Sequence, residues 1–451
     1  MKRNLLFFFI LLSTNILAQP SLRQKIGQMI IVGFNPNSSF ADTLITDLED
    51  RNLGGVILFG HNVISPSQLA DLTALLKSNS KTLPFIAIDQ EGGRVARLDE
   101  SNGYRTTNSA YKLGTLIDIE DSTRSEAYQM AKWLSDGGIN VNFAPVIDVN
   151  VNPVSPAIGA KDRSFSENHL SVFHHADWFI DEFNTQNILT TLKHFPGHGS
   201  AATDSHLGFT DVTDTWTLDE LLPYKNIISQ GFDDNIMVGH IFNSNLDSLY
   251  PASLSYNTVT SLLKDSLKFE GLIISDEMLM QAITTQFSFE GAIELAINAG
   301  VDVLLYSTNE WQNGSLVNYV VDVIEDRVNS GIIPASRIDE SYNKIRIRKD
   351  FINSLDENIE LEIMPVELNV SNYPNPFNSS TIITYNLPKD GRVTLTVYDL
   401  LGREVETLVN EYVKAGNYSV NYNADGLPTG VYFYRIEMAR NFSVGKMIYL
   451  K

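Results

Sequence analysis

The sequence predicts an α/β chain, a (β/α)8 TIM barrel followed by a C-terminal immunoglobulin-like β-sandwich. From about residue 24 to 352, eight short apolar, β-branched runs alternate with longer helix-like segments. Buried parallel strands read as continuous apolar runs, and eight of them with intervening helices make a barrel. Charged and polar residues stand at the ends of these runs, where good packing alone would not require them: Asp89, Asp148, Lys193 with His194, His240 and Asp276. In such barrels chemistry sits past the C-terminal strand ends. After about residue 356 the pattern changes to short alternating strands divided by turn residues, as in a β-sandwich.

In chain order, residues 1–18 read as a signal peptide. Lys2 and Arg3 supply the positive start, residues 5–12 an apolar run, and Ala18 a small residue before Gln19 and Pro20. That run is shorter than the roughly 20 apolar residues a bilayer span needs, so no transmembrane segment is expected after cleavage. The catalytic barrel is expected over residues 20–355, with strands at 29–32, 55–59, 84–89, 140–147, 188–193, 235–239, 271–275 and 301–305. Helices are expected at 67–77, 125–136, 220–229 and 291–299, several opening on a Ser, Thr or Asp that can cap them. Residues 356–370 read as a helix-poor linker. Residues 371–451 open near Tyr373-Pro374-Asn375-Pro376-Phe377-Asn378, with strands expected at 381–385, 393–398, 405–409, 418–422, 431–437 and 444–450.

Composition narrows the function classes. A formal net charge of −21 argues against nucleic acid or an anionic membrane surface as partner, since phosphate binding needs clustered Lys and Arg. With no cysteine, the chain has no disulfide, no lipid anchor through Cys and no thiolate metal site.

The densest chemistry is Lys193-His194-Phe195-Pro196-Gly197-His198-Gly199, followed by Asp204-Ser205-His206. Asp204 and His206 stand two apart, so on an extended loop both side chains point to the same side. A carboxylate beside an imidazole fixes its tautomer and favours its protonated form, which makes a general acid/base near neutral pH. The loop lacks H-E-x-x-H or a carboxylate-rich spacing, so no metal is assigned. His198, flanked by glycines, reads equally as structural or functional.

Taken together, Asp89-Gln90-Glu91-Gly92-Gly93-Arg94-Val95-Ala96-Arg97, the K-H-F-P-G-H-G run with D-S-H, and Ile274-Ser275-Asp276 resemble family 3 of the glycoside hydrolases, in its single-barrel β-N-acetylglucosaminidase branch. Asn142-Phe143-Ala144-Pro145 with Asp148, and Asp162-Arg163-Ser164-Phe165, extend the likeness across the barrel in family order. The resemblance implies that Asp276 is the nucleophile, His206 the acid/base and Asp204 its orienting partner. It further implies that Asp89, Arg97, Arg163, Lys193 and His194 hold the hydroxyls of the terminal sugar. A retaining double displacement needs one ionised carboxylate and one proton shuttle, and no cofactor. Ser200 and Ala201 stand where many relatives carry Asp-Thr, and Glu277 where a second Asp is usual. Glu91 and Asp148 read as structural, holding the Gly92-Gly93 turn and the fourth strand end.

The expected activity is exo-hydrolysis of terminal β-linked N-acetylglucosamine from chitin or peptidoglycan fragments. Alternatives are a β-N-acetylglucosaminide phosphorylase, a β-glucosidase, or a non-catalytic sugar-binding protein. The β-glucosidase branch generally adds an α/β domain supplying a Glu acid/base, and here the barrel runs straight into the sandwich. That sandwich resembles a type IX secretion-system sorting domain, which implies the type IX secretion machinery as partner. Export through the periplasm to the cell surface or medium is expected.

Overall fold

The computed structural model describes residues 20–36, 41–312, 314–362, 368–387, 391–400, 402–414, 416–438 and 441–451. The expected signal peptide, 1–18, lies outside the described residues. The chain divides into two compact units, the first ending at Ile352 and the second beginning at Asn353.

Among the described residues, the main sheet of the first unit holds eight parallel strands: β1 (Ile30–Val32), β2 (Gly55–Leu58), β3 (Phe85–Ile88), β4 (Val141–Asn142), β5 (Thr191–Phe195), β6 (Asn235–Val238), β7 (Leu272–Glu277) and β8 (Val303–Tyr306). Their hydrogen-bonded order is β4-β3-β2-β1-β8-β7-β6-β5. Bridges Val141↔Leu189 and Val146↔Lys193 then join the two ends, giving a nearly closed barrel. Apart from Glu277 at the end of β7, every residue of these strands is buried, as expected of parallel strands covered on both faces.

The expected helices are present, three of them with longer bounds. They are α1 (Pro66–Ser78), α2 (Glu120–Asp136), α4 (Leu222–Ser229) and α5 (Phe289–Ala299), with α3 (His169–Asn184) added between the second and third. Ser65 caps α1 by accepting the Gln68 N–H, with Pro66 in the first turn, where its missing N–H costs nothing. Gly300 ends α5 at φ +115, a left-handed position that favours glycine.

Three expectations need correction. The strand expected at 140–147 is regular only at Val141–Asn142, and Pro145 within the expected range can donate no ladder hydrogen bond. The helix expected at 220–229 begins at Leu222, and a 3-10 turn over Leu218–Glu220 precedes it. The expected helix-poor linker is helical in its first part, since α6 spans Ala335–Glu362.

The second unit contains seven antiparallel strands: β9 (Asn369–Tyr373), β10 (Ser380–Leu387), β11 (Gly391–Tyr398), β12 (Glu404–Val413), β13 (Gly416–Asn423), β14 (Gly430–Met438) and β15 (Asn441–Tyr449). They form two sheets, β9-β10-β13 and β12-β11-β14-β15. Ile383, Leu387, Val393, Leu395, Ile436 and Met447 are fully buried in its core. The Tyr373-to-Asn378 segment is part of this fold: Phe377 is buried, donates its N–H to Ile448 O at 2.9 Å and accepts from Leu450 N–H at 2.9 Å. Among the described residues no helix is long and apolar enough to cross a membrane.

Candidate active site

A cavity of about 330 Å3 is lined by residues at the C-terminal ends of the barrel strands, where seven of the eight expected site residues meet. They are Asp89, Arg97, Arg163, Lys193, His194, His206 and Asp276, and the apolar wall is built from Ile57, Phe59, Val95, Met237, Met280 and Leu305. The eighth, Asp204, stands behind His206.

One wall is an ion-pair lattice. Asp89 accepts Lys193 Nζ at 2.8 Å and an Arg97 guanidinium N–H at 3.3 Å. Burial alone would raise the Asp89 pKa, but the Lys193 and Arg97 charges outweigh it and hold the carboxyl below the usual range. Glu91 does more than the turn-holding expected of it. Its carboxylate takes a two-pronged bond from Arg163, both arms 2.8 Å, and Lys193 Nζ at 2.7 Å. These two cations overcome burial and hold Glu91 well below the usual carboxylate range. Arg163 is raised by the same pairing.

Lys193 and His194 are consecutive yet both line the cavity, against the alternation of a regular strand. The pairing of β5 with β6 shifts register between Leu192 and Phe195, so alternation fails there. Asp148, expected to hold a strand end, instead fixes this turn. It accepts His194 N–H at 3.1 Å, His198 N–H at 2.8 Å and His194 Nδ1 at 2.7 Å. Nδ1 therefore carries the proton, and Nε2 accepts from Arg163 at 3.3 Å. His198 points away from the cavity to Ser205 Oγ, 3.0 Å from its Nε2. Burial above all lowers its pKa to about 4.

Across the cavity, Asp276 sits in β7 with an oxygen accepting the Glu277 N–H at 2.8 Å. Burial works against its ionisation, but His240, His194, His206 and that N–H hold the carboxyl below the usual range. An ionised, buried carboxylate facing an open cavity is equipped for nucleophilic attack. His206 is exposed at the rim, its Nδ1 2.8 Å from Asp204 Oδ1. The pair sits on a turn rather than the expected extended loop: Leu207 N–H reaches Asp204 O at 2.9 Å and His206 N–H reaches Asp204 Oδ1 at 3.1 Å.

Sequence reading gave no role to three further groups. Lys161 lines the cavity and donates to Asp204 Oδ2 at 3.0 Å. His240, in sequence only a strand-end residue, donates its Nε2 proton to Glu277 O at 2.9 Å, and its Nδ1 meets Ser253 Oγ at 2.6 Å. Glu277 accepts from Ser307 N–H at 2.9 Å and Leu279 N–H at 3.1 Å. Only the strand-end rule could have flagged His240, and nothing in the sequence marks Lys161. Among the described residues no cluster of His, Asp and Glu has the arrangement of a metal site.

The profile of the glycosyl hydrolase family 3 N terminal domain matches residues 21–347, and that of the secretion system C-terminal sorting domain matches residues 371–450. The chain is 37% identical over 274 residues to beta-hexosaminidase A of Pseudoalteromonas piscicida, covering 56% of this chain but only 46% of that one. It is 32% identical over 343 residues to beta-hexosaminidase LpqI of Mycobacterium tuberculosis, covering 73% of this chain and 83% of that one. In three dimensions it is similar to a family 3 beta-N-acetylglucosaminidase of Paenibacillus, with TM-score 0.68 and 30% identity over 74% of this chain and 63% of that one.

Proposed function

The chain belongs to glycosyl hydrolase family 3 and carries a secretion-system sorting domain, and from that premise we propose that it is a retaining, exo-acting β-N-acetylglucosaminidase. The carrying observation is that an ionised, buried carboxylate and a carboxylate-oriented imidazole line one sugar-sized cavity. In this mechanism Asp276 attacks the anomeric carbon, the glycosidic C–O bond breaks, and His206 gives its proton to the departing oxygen. His206, now neutral, takes a proton from water, whose oxygen attacks the same carbon and releases Asp276. Two displacements at one carbon retain its configuration. Asp204 keeps the Nδ1 proton in place and stabilises the imidazolium, while Asp89, Arg97, Arg163, Lys193 and His194 hold the sugar hydroxyls. The reaction calls for no cofactor.

The named hexosaminidase relatives support an N-acetylglucosamine-terminated substrate, such as chitin or peptidoglycan fragments. The two-sheet C-terminal unit is proposed to be an immunoglobulin-like sandwich recognised by the type IX machinery, delivering the enzyme to the cell surface or medium. Phosphorolysis is the second reading. A neutral imidazole would not repel an incoming phosphate as a carboxylate would, and Lys161 and Arg163 add positive charge to the cavity wall. Turnover of nitrophenyl β-N-acetylglucosaminide and β-glucoside, each with and without phosphate, tests both. Cleavage of the acetamido sugar alone, indifferent to phosphate, is expected. Sugar 1-phosphate as product would replace the hydrolase reading, and preference for the glucoside would overturn the substrate.

A further inference from the structure

Behind the cavity, the loop leading from β5 toward Asp204 and His206 rests on a buried carboxyl group that does not line the cavity. Glu220 is fully buried. Its Oε2 accepts the backbone N–H groups of Gly199 at 2.8 Å and Ser200 at 3.2 Å, while Oε1 is buried without a protein partner. The approach is tight, since a Cβ on Gly197 would stand 2.6 Å from Glu220 Cβ. Trp216 clamps the same segment, donating its indole N–H to Pro196 O at 3.0 Å. Beyond these anchors, Ala201 and Ser205 are buried, whereas Ala202, Thr203, His206 and Leu207 are exposed, so the loop is held from its inner side only. The His198–Ser205 contact then carries the anchored end to the residue between Asp204 and His206.

Burial pushes Glu220 up to about 7 against the pull of the loop N–H groups. A buried carboxyl with one unsatisfied oxygen costs stability that an apolar side chain of similar volume would avoid. Its contacts lead to the loop.

We propose that Glu220 is a positioning residue for the acid/base pair: by holding the Gly199–Ser200 backbone it sets where Asp204 and His206 stand over the sugar cavity. This role presupposes that His206 is the acid/base. A residue acting through the proton donor leaves a signature that a merely structural one does not. The kcat/KM of a retaining glycosidase reports departure of the leaving group, and only a poor leaving group needs a proton.

The test compares the full chain with its Glu220→Ala, Glu220→Asp and Glu220→Gln variants on β-N-acetylglucosaminides of dinitrophenol and of a simple alcohol. On the alkyl glycoside the Ala and Asp variants are expected to lose about 10- to 100-fold in kcat/KM, and on the dinitrophenyl glycoside less than about threefold. Glu220→Gln keeps an acceptor for both N–H groups and is expected within about threefold of the parent on both substrates. Equal losses on both substrates, no loss on either, or a Gln variant as poor as Ala would overturn the role. Dinitrophenyl turnover doubles as the check of folding, and where the Ala chain does not fold the Asp chain is read in its place. His206→Ala, run alongside, separates the two ideas. Without leaving-group dependence in that variant the acid/base reading fails. With it, but with none in the Glu220 variants, only the positioning role fails.

Discussion

Asp204 presents one oxygen to His206 Nδ1 at 2.8 Å and the other to Lys161 Nζ at 3.0 Å. A carboxylate can only accept, so the contact puts a proton on Nδ1 and leaves Nε2 for the substrate oxygen. Burial opposes ionisation of Asp204, but Lys161 and the His206 contacts hold its carboxyl well below the usual range, so the orienting charge is present at neutral pH. Asp204→Asn removes that charge while keeping the shape. The expected result is a fall in kcat/KM of about 10²- to 10⁴-fold on alkyl glycosides, shrinking as the leaving group improves. A fall of equal size on every substrate would mean that the loop, not the proton transfer, had been damaged.

Asp276→Ala removes the group proposed to form the covalent intermediate, and kcat is expected to drop by on the order of 10⁴-fold or more. Azide can then occupy the vacated side of the sugar and attack the anomeric carbon directly. Retention in the parent requires this rescued product to be the α-glycosyl azide, because a single displacement inverts. Proton NMR of the product decides it, and a β-azide would remove Asp276 from the nucleophile's role.

The sequence exposed most of this arrangement where local pattern carries the physics. Parallel barrel strands are buried on both faces, so their apolar runs located all eight, and the strand-end rule reached Asp89, Lys193, His194 and Asp276. It misjudged β4 because regular pairing stops near Ala144-Pro145 although the apolar run continues. Glu91 was underread because its bonds to Arg163 cross 72 positions of chain, and a turn motif announces nothing about such a partner. Glu220 looked like the first residue of a helix, and its acceptors' partners, 20 and 21 residues away, become visible only once the loop has folded over it.

Two glycines on the same loop should respond oppositely to an added methyl group. A Cβ on Gly199 would lie 1.7 Å from Val149 O, a backbone atom that cannot step aside, whereas one on Gly208 would meet nothing within 4 Å. Gly199→Ala is therefore expected to cost upwards of about 3 kcal/mol, or to shift the loop with loss of activity. Gly208→Ala should stay within about 0.5 kcal/mol of the parent. Urea denaturation of both variants checks this, and similar midpoints would show that the loop is not packed against Val149.

The stability of the barrel should also carry the titration of Glu220. Burial raises its pKa from 4.5 to about 7, so between those values the folded chain binds a proton that the unfolded chain has released. Its favourable contribution is therefore complete below pH 4.5 and lost as pH rises to about 7, an effect of roughly 3 kcal/mol at about 1.4 kcal/mol per pH unit. His198, lowered to about 4, has the opposite slope below its unfolded value and would mask part of this in the parent. Subtracting the parent's unfolding free energy from that of Glu220→Gln cancels His198, which both chains share. The difference is expected to move in favour of the variant by on the order of 3 kcal/mol between pH 4.5 and 8. A difference independent of pH would mean that Glu220 titrates as an ordinary carboxyl and that its burial is not what the geometry implies.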